Sequence, residues 1–473
     1  MRYYISLLII LSLAIRAYSQ SSTIPVYTLQ DCINMALQNN LELKSATLRT
    51  ETADINFKQS KNALLPAING NYNYGISNGR SIDPFTNSYI NEQLTFSNAN
   101  LRLDAVVFNG FRLINNWKQQ KLNLLASEAE KEESTQNLVL AVTLAYLNVM
   151  NTRDLVILAE NRLESTDEQL VRVKSMFDKE MGNPSEYRDF QGQKANDESN
   201  LIAATNTFED AKLSLMQLLN TSTYFDVSTI DVPIDIVNFD ETFEEVYSEA
   251  LQNLATVKVD EYRLEASEKS VSVAKALYVP EISVFANVGT NYSSAARIFN
   301  EDGTSIIETG DFVDVNGDIF NVQTEQTNFA SQEISYNDQF ENNLNNVAGI
   351  AVNIPIFNGF RAKNNVALEK IRQEEASVEL ERTKLQLRTS IEMAYKDMVA
   401  SRQRYNVLEG QVEAYNESLR INEVRFNNGI ENSIDFIISK NNYDNAQISL
   451  NNAKYEYFLR VKILEYYKGN SMF

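Results

Sequence analysis

The feature that most constrains this chain is a pentapeptide written twice. Phe108-Asn109-Gly110-Phe111-Arg112 returns as Phe357-Asn358-Gly359-Phe360-Arg361, 249 residues further on. Each copy closes a stretch of alternating apolar and polar residues and opens a long run at helical period, so strand passes into helix at Asn-Gly. Two more landmarks repeat upstream, 214 residues apart: Ala36-Leu37-Gln38-Asn39 with Ala250-Leu251-Gln252-Asn253, and Leu65-Pro66 with Val279-Pro280. The difference between the spacings, 35 residues, is an insertion between the strands of the second copy. A tandem duplication obliges each half to supply the same kinds of element.

The strands carry the second constraint. After a helical pattern over Thr28–Leu65, which Pro66 ends, Ile68, Gly70, Tyr72, Tyr74 and Ile76 alternate with Asn69, Asn71, Asn73 and Ser77. A turn-rich loop leads to Ala99, Leu101, Leu103, Ala105 and Val107, set against Asn98, Asn100, Arg102 and Asp104. The second copy keeps the parity in Ile282, Val284, Ala286 and Val288, then in Ala348, Ile350, Val352, Ile354 and Ile356. Four strands of about ten residues, greasy on one side only, have the length and alternation of transmembrane β-strands. A soluble β-sandwich with one buried face alternates identically, although the chain offers no second sheet to cover that face. Four strands cannot close a barrel, so strands that cross a membrane must be pooled by several copies.

Composition narrows the classes further. Residues 1–19 read as a secretory signal, with Arg2 before an apolar core from Ile5 to Ile15 and a cleavage site at Ala17-Tyr18-Ser19, so the mature chain is expected from Gln20. The only cysteine, Cys32, falls in a helical pattern, where neither a disulfide nor a lipid anchor is expected. The net charge is -21 over all 473 residues, the wrong sign for nucleic acid. With no histidine, the usual zinc sites and nucleophile–base pairs are disfavoured; no metal, cofactor or catalytic residue is expected. The longest apolar helical run, Leu138 to Met150, is too short to span a bilayer.

After Gly110 no proline or glycine occurs up to Phe177, which permits one continuous helix of about 100 Å. Its distal part carries heptads, Val156, Leu163, Leu170 and Phe177 interleaved with Ala159, Thr166 and Val173; Tyr405, Val412, Leu419 and Phe426 repeat the pattern. Such seams impose left-handed supercoiling on a neighbouring helix. The expected organisation is therefore a first repeat over 20–218 (strands about 67–77 and 97–108, helices about 110–177 and 185–219) and a connector over 219–240. A second repeat covers 241–473, with strands about 280–292 and 345–357 and helices about 359–427 and 432–468. The insertion, 293–343, reads as a long exposed polar loop. Within it Asp314-Val315-Asn316-Gly317-Asp318 lacks the ligand spacing of a calcium loop and reads as a polar turn.

Taken together, the signal segment, the duplicated helix-hairpin-helix units, the Phe-Asn-Gly-Phe-Arg junctions and the coiled helices that end in glycine turns resemble the TolC-like outer membrane efflux proteins. The likeness covers nearly the whole mature chain. It implies an α+β membrane protein: a homotrimer in which each chain gives four strands to one twelve-stranded barrel and its long helices to a coiled-coil periplasmic tunnel. It further implies a passive exit duct of a tripartite efflux or type I secretion system in the outer membrane of a Gram-negative bacterium. A periplasmic adaptor would join that duct to an inner-membrane pump.

By resemblance the tunnel tip is a gate narrowed by carboxylates just after the glycine turns. Asp435 takes that place in the second copy; Asp189, displaced by one residue and beside Arg188, is the closest match in the first. Gly182, Asn183, Gly429 and Ile430 would present the adaptor-docking tip, and Phe108, Gly110, Phe111, Phe357, Gly359 and Phe360 would form the strand–helix junctions. Read from residues alone, Asp189 and Asp435 also suit a plain helix N-terminus, where carboxylates offset the dipole. The other function classes weighed are a pore-less periplasmic adaptor and a carboxylate hydrolase on a helical scaffold. Adaptors carry one coiled hairpin rather than two, and the acidic residues here are spread along solvated helix faces.

Overall fold

The computed structural model describes residues 25–82, 87–91, 93–181, 183–229 and 239–469. The expected signal segment and Gly182 lie outside these residues, as does much of the connector. Among the described residues no helix is long and apolar enough to cross a membrane.

In chain order the helices are α1 (Leu29–Asn39), α2 (Leu41–Asn62), α3 (Arg112–Asp178), α4 (Pro184–Leu219), α5 (Phe243–Asn253), α6 (Ala255–Lys275), α7 (Tyr336–Asn342), α8 (Arg361–Asn427) and α9 (Ser433–Tyr467). The strands are β1 (Val26–Tyr27), β2 (Ala67–Ser77), β3 (Arg80–Ile82), β4 (Tyr89–Asn91), β5 (Leu94–Phe108), β6 (Asp226–Val227), β7 (Glu281–Ser293), β8 (Arg297–Val315), β9 (Asp318–Glu333) and β10 (Asn345–Asn353). Helix bounds obey the repeat: α3 and α8 begin and end 249 residues apart, and α1 and α5 are 214 apart.

The chain divides into two compact units. The first takes residues up to Asp54, Leu122–Glu265 and Glu374–Phe473. It is helical, and its two largest cores are pseudo-symmetric in origin. One gathers Cys32, Ile33 and Ala36 of α1 with Tyr146, Leu147 and Leu215, and the other gathers Val246 and Ala250 of α5 with Ile391, Met398 and Leu464. Thr28 and Thr242 start α1 and α5 with the same reciprocal cap, in which the threonine side chain accepts from the N3 amide and the N3 carboxylate accepts from the threonine backbone. The pattern over Thr28–Leu65 is two helices rather than one. Asn40 is extended, and its Oδ1 accepts from Glu42 N (2.9 Å) and Leu43 N (3.1 Å), so it caps a new helix inside what looked like one run.

The second unit, Ile55–Lys121 and Ala266–Gln373, holds a four-stranded antiparallel sheet in the order β10-β7-β5-β2. Its register sets Ile68 opposite Leu103, Leu103 opposite Ala286 and Ala286 opposite Ala348, so the alternating apolar residues of all four strands share one face, while Phe96 and Phe285 lie over Gly75 and Gly349 on the other. The shared apolar face is not sandwiched within the chain: Ile68, Tyr72, Leu101, Ile350 and Val352 are all more than half exposed. The opposite face is a field of amides, with Asn71 Nδ2 donating to Asn100 Oδ1 at 3.3 Å. Arg102 pairs with Asp104 on this face (2.8 Å), and Glu281 at the start of β7 pairs with Arg112 (3.0 Å).

The insertion departs from the expected loop. Most of it is a long antiparallel ribbon, β8 paired with β9, which turns at Asn316-Gly317 (φ 62° and 98°). Gly317 N donates to Asp314 Oδ1 (2.8 Å), which makes the Asp-rich stretch a polar turn, as read from the sequence. Strap helix α7 follows and is tied to the sheet by the buried Gln339, which accepts from Ser293 N (2.9 Å) and donates to Ser293 O (3.0 Å).

Candidate functional site

At the junctions in the second unit, the repeated pentapeptide folds the same way twice. Gly110 and Phe111 both have positive φ (65° and 62°), as do Gly359 and Phe360 (62° and 60°). Arg112 N donates to Asn109 O and Arg361 N to Asn358 O, each at 3.2 Å, which makes each a tight mirror-image turn. The asparagine Oδ1 then accepts from an amide in the first turn of the helix (Leu113 N, 3.3 Å; Ala362 N, 3.5 Å). A phenylalanine with positive φ is strained. Edge-on packing offsets that strain: Phe108 meets Phe111 at 5.5 Å and 87°, and Phe357 meets Phe360 at 5.6 Å and 87°.

The two junctions differ in what surrounds them. A Cβ built on Gly110 would lie 2.8 Å from Val279 Cβ, whereas one on Gly359 meets nothing within 4 Å. Asn109 is buried and Phe357 is exposed.

At the tip in the first unit, α3 and α8 end in the same motif. Glu180 N donates to Phe177 O (3.0 Å) and Met181 N to Met176 O (3.0 Å); Gly429 N donates to Phe426 O (3.0 Å) and Ile430 N to Arg425 O (2.9 Å). The residue equivalent to Gly429 is therefore Glu180, with φ 57°, rather than Gly182. Asn183 and Asn432 cap the returning helices, with Oδ1 accepting from Ser185 N (3.0 Å) and Asp435 N (3.0 Å). Aromatic stacks repeat as well, Phe177 on Tyr187 (5.2 Å, 16°) and Phe426 on Phe436 (5.2 Å, 19°). Phe190 fills the space between the halves and is fully buried.

This geometry reassigns the carboxylates. Counting from the caps, the first-copy equivalent of Asp435 is Glu186, a residue the sequence reading passed over. Asp189 is instead the equivalent of Ile438, one turn later. Asp435 is exposed, and its Oδ2 accepts from Asn432 Nδ2 (2.9 Å). Asp189 is half-buried and its Oδ2 accepts from Ser433 Oγ (3.0 Å), which ties the two tips of one chain together. Arg188 lies over the Tyr187 ring and donates to Gln191 Oε1 (2.7 Å). The constant offset of 249 was the signal that could have found Glu186.

Behind the tip a buried charge cluster joins three helices. Asp197 of α4, with no exposed surface, accepts from Arg162 Nε (2.7 Å), Thr166 Oγ1 (2.7 Å) and Gln193 Nε2 (2.9 Å). Arg162 Nε also lies 3.3 Å from Asp444, which pairs with the buried Lys440 (2.9 Å). Two cations and two anions balance, and Asn441 links them to Gln193. None of the four has a charged counterpart 249 residues away, since Gln411, Ala446, Ala195 and Gln191 stand there. The cluster therefore has no equivalent among the corresponding positions of the other copy.

A protein family described as "Outer membrane efflux protein" matches residues 32–221 and 246–465. The outer membrane efflux protein BepC of Brucella suis is 21% identical over 375 residues, spanning 79% of this chain and 70% of the relative. The outer membrane protein TolC of Escherichia coli is 20% identical over 458 residues, spanning 95% and 83%. The crystal structure of the outer membrane protein VceC from Vibrio cholerae superposes with a TM-score of 0.73 at 16% identity, over 94% of this chain and 97% of that one.

Proposed function

The chain belongs to the outer membrane efflux protein family, and we propose that three copies close one twelve-stranded barrel and serve as a passive exit duct. The protein is an outer membrane efflux channel whose helical tunnel stands in the periplasm. Its cargo is handed over by an inner-membrane pump through a periplasmic adaptor that docks on the tip around Asn183, Gly429 and Ile430. The duct carries out no chemistry of its own.

The observation that carries the trimer is the mismatch between the two junctions. Within the chain, β5 is covered by β7, in register Leu101↔Val288 and Leu103↔Ala286, and Gly110 packs on Val279. The repeat offsets carry that contact onto two copies: 249 added to the β5 side gives β10, and 214 subtracted from the β7 side gives β2. The resulting seam pairs Ile350 with Tyr74 and Val352 with Tyr72 of the next copy, and sets Leu65 of that copy over Gly359. The apolar faces of the two copies then run on continuously, and the two free edges, β2 and β10, meet antiparallel. Closure leaves no edge strand in lipid, as a bilayer demands.

At the tip, Glu186, Asp189 and Asp435 from three copies would concentrate negative potential at the entrance. Purified protein in planar bilayers is expected to conduct ions. Asp435→Ala, and more strongly Asp435→Ala with Glu186→Gln, is expected to weaken block by divalent cations added on the tip side. Unchanged block leaves these carboxylates only their capping role, and recovery of the native protein as a soluble periplasmic monomer would sink the duct itself.

A further inference from the structure

The ribbon formed by β8 and β9 is not used by the duct mechanism, and its two faces differ chemically. β9 runs without a bulge, so its odd and even residues take opposite faces, and the register assigns β8 to match. The odd face carries five carboxylates, Glu301, Glu308, Asp314, Glu325 and Glu333, against one cation, Arg297, interspersed with the exposed Phe299, Ile306, Phe312, Ile319 and Phe329. The even face carries Ile298, Ile307, Val313 and Phe320 among serine, threonine, asparagine and glutamine, with a single carboxylate, Asp318, at the turn. Side-chain bonds agree with this sorting. Asn321 donates to Glu308 (3.0 Å) on the charged face, and Ser305 to Asn328 (2.9 Å) on the uncharged one.

A two-stranded ribbon alone is marginally stable in water, yet Phe320 on the uncharged face is 57% exposed. Exposed phenylalanines lie on both faces, so charge rather than apolarity selects the face another surface can cover: the even face can be buried against an uncharged partner without desolvating a row of carboxylates. A basic polypeptide or an anionic lipid headgroup has no complement there. The ribbon also joins β7 to β10, and β10 is the free edge of the sheet. Its root, Ser294 to Arg297, lies at the end of the sheet opposite the strand–helix junctions and one strand from the seam.

We propose that the uncharged face of the ribbon packs against a second copy of this chain, so that three ribbons form a collar around the outer mouth of the barrel. The carboxylate faces turn outward to water, where three ribbons that each hold a net charge of -7 repel least. At about 3.3 Å per residue, the 16 residues of β9 carry the collar about 50 Å from its root. The local concentration of three ribbons tethered to one mouth favours this contact over any free partner. The proposal rests on the trimeric reading above.

The test replaces Phe320 or, as control, its sequence neighbour Ile319 on the other face, with photoreactive p-benzoylphenylalanine, followed by irradiation of outer membranes in intact cells. The two positions are similarly exposed, 57% and 67%. The collar predicts covalent dimers and trimers of this chain from position 320 and far fewer from position 319. No self-product from 320 in a particle that still weighs three chains overturns the collar and leaves the duct standing. Equal yields from both positions, or capture of a different protein from either, overturn it too. A parent particle that weighs one chain overturns the duct reading, and the collar with it.

Discussion

The buried cluster behind the tip lends itself to a quantitative prediction. Asp197→Ala removes the acceptor shared by Arg162, Thr166 and Gln193 and leaves two buried cations, Arg162 and Lys440, facing Asp444 alone. Breaking a buried pair from one side costs about 3–5 kcal/mol, mainly from the charge left uncompensated. At about 1.4 kcal/mol per tenfold, local opening of the tip half of α3, α4 and α9 should rise by roughly two to three and a half orders of magnitude. The assay is hydrogen exchange of those amides, where opening free energies are read segment by segment. Because the cluster is buried, added salt should change the result little. A second variant isolates the cause: Arg162→Met with Asp197→Leu removes one charge of each sign and leaves the Lys440–Asp444 pair balanced. It should recover most of the protection. In bilayers the single variant should open more often than the parent, and the double variant should resemble the parent. Unaltered protection in Asp197→Ala, or a double variant as labile as the single one, would refute the reasoning.

Other consequences can be checked directly. Gly110→Ala meets both a positive φ and a Cβ 2.8 Å from Val279, whereas Gly359→Ala meets only the positive φ within its own chain. Far-ultraviolet circular dichroism of the unassembled chain should show Gly110→Ala to be the more damaging, while native gels should show that Gly359→Ala folds and loses trimer. Phe190→Ala should lower the stability of the tip by about 3–5 kcal/mol, seen as faster proteolysis between α3 and α4 with the sheet intact. Burial first, and then the charge of Asp31, push the Cys32 thiol up to about 12, and it has no exposed surface. Maleimide should therefore leave Cys32 unlabelled at neutral pH until the helical unit unfolds; rapid labelling of the native trimer would contradict this packing.

How much of this was legible in the sequence depends on how local each feature is. The junctions were readable because an asparagine cap and a glycine at positive φ act within five residues. The strands were readable because their parity holds over most of their length, with one bulge between Val106 and Phe108 at the end of β5. The ribbon was not, since its alternation is interrupted where β8 bulges, between Glu301 and Thr304 and between Glu308 and Phe312, with Gly303 and Gly310 at positive φ. Turn formers at those bulges imitate a loop. Asn40 ends α1 without proline or glycine, by capping α2 with its own side chain. Glu186 was missed because Gly182 drew the alignment of the tips, when the left-handed residue is Glu180, a residue type that rarely takes that conformation. The Arg162–Asp197–Asp444 cluster joins residues far apart in the chain, and no local pattern announces it.

The most direct test of the account is the seam itself. Tyr72 and Val352 stand on opposite edges of the same four-stranded sheet, Tyr72 in line with Thr290 of β7 and Val352 with Ile282, so across three strand spacings and along the strands they lie roughly 30 Å apart, too far for a disulfide within one chain. With both residues changed to cysteine, oxidation in the outer membrane should yield a covalent product of three chains, and either single cysteine should yield none. An oxidised double variant that runs as one chain, with both new thiols free, would contradict the three-copy barrel.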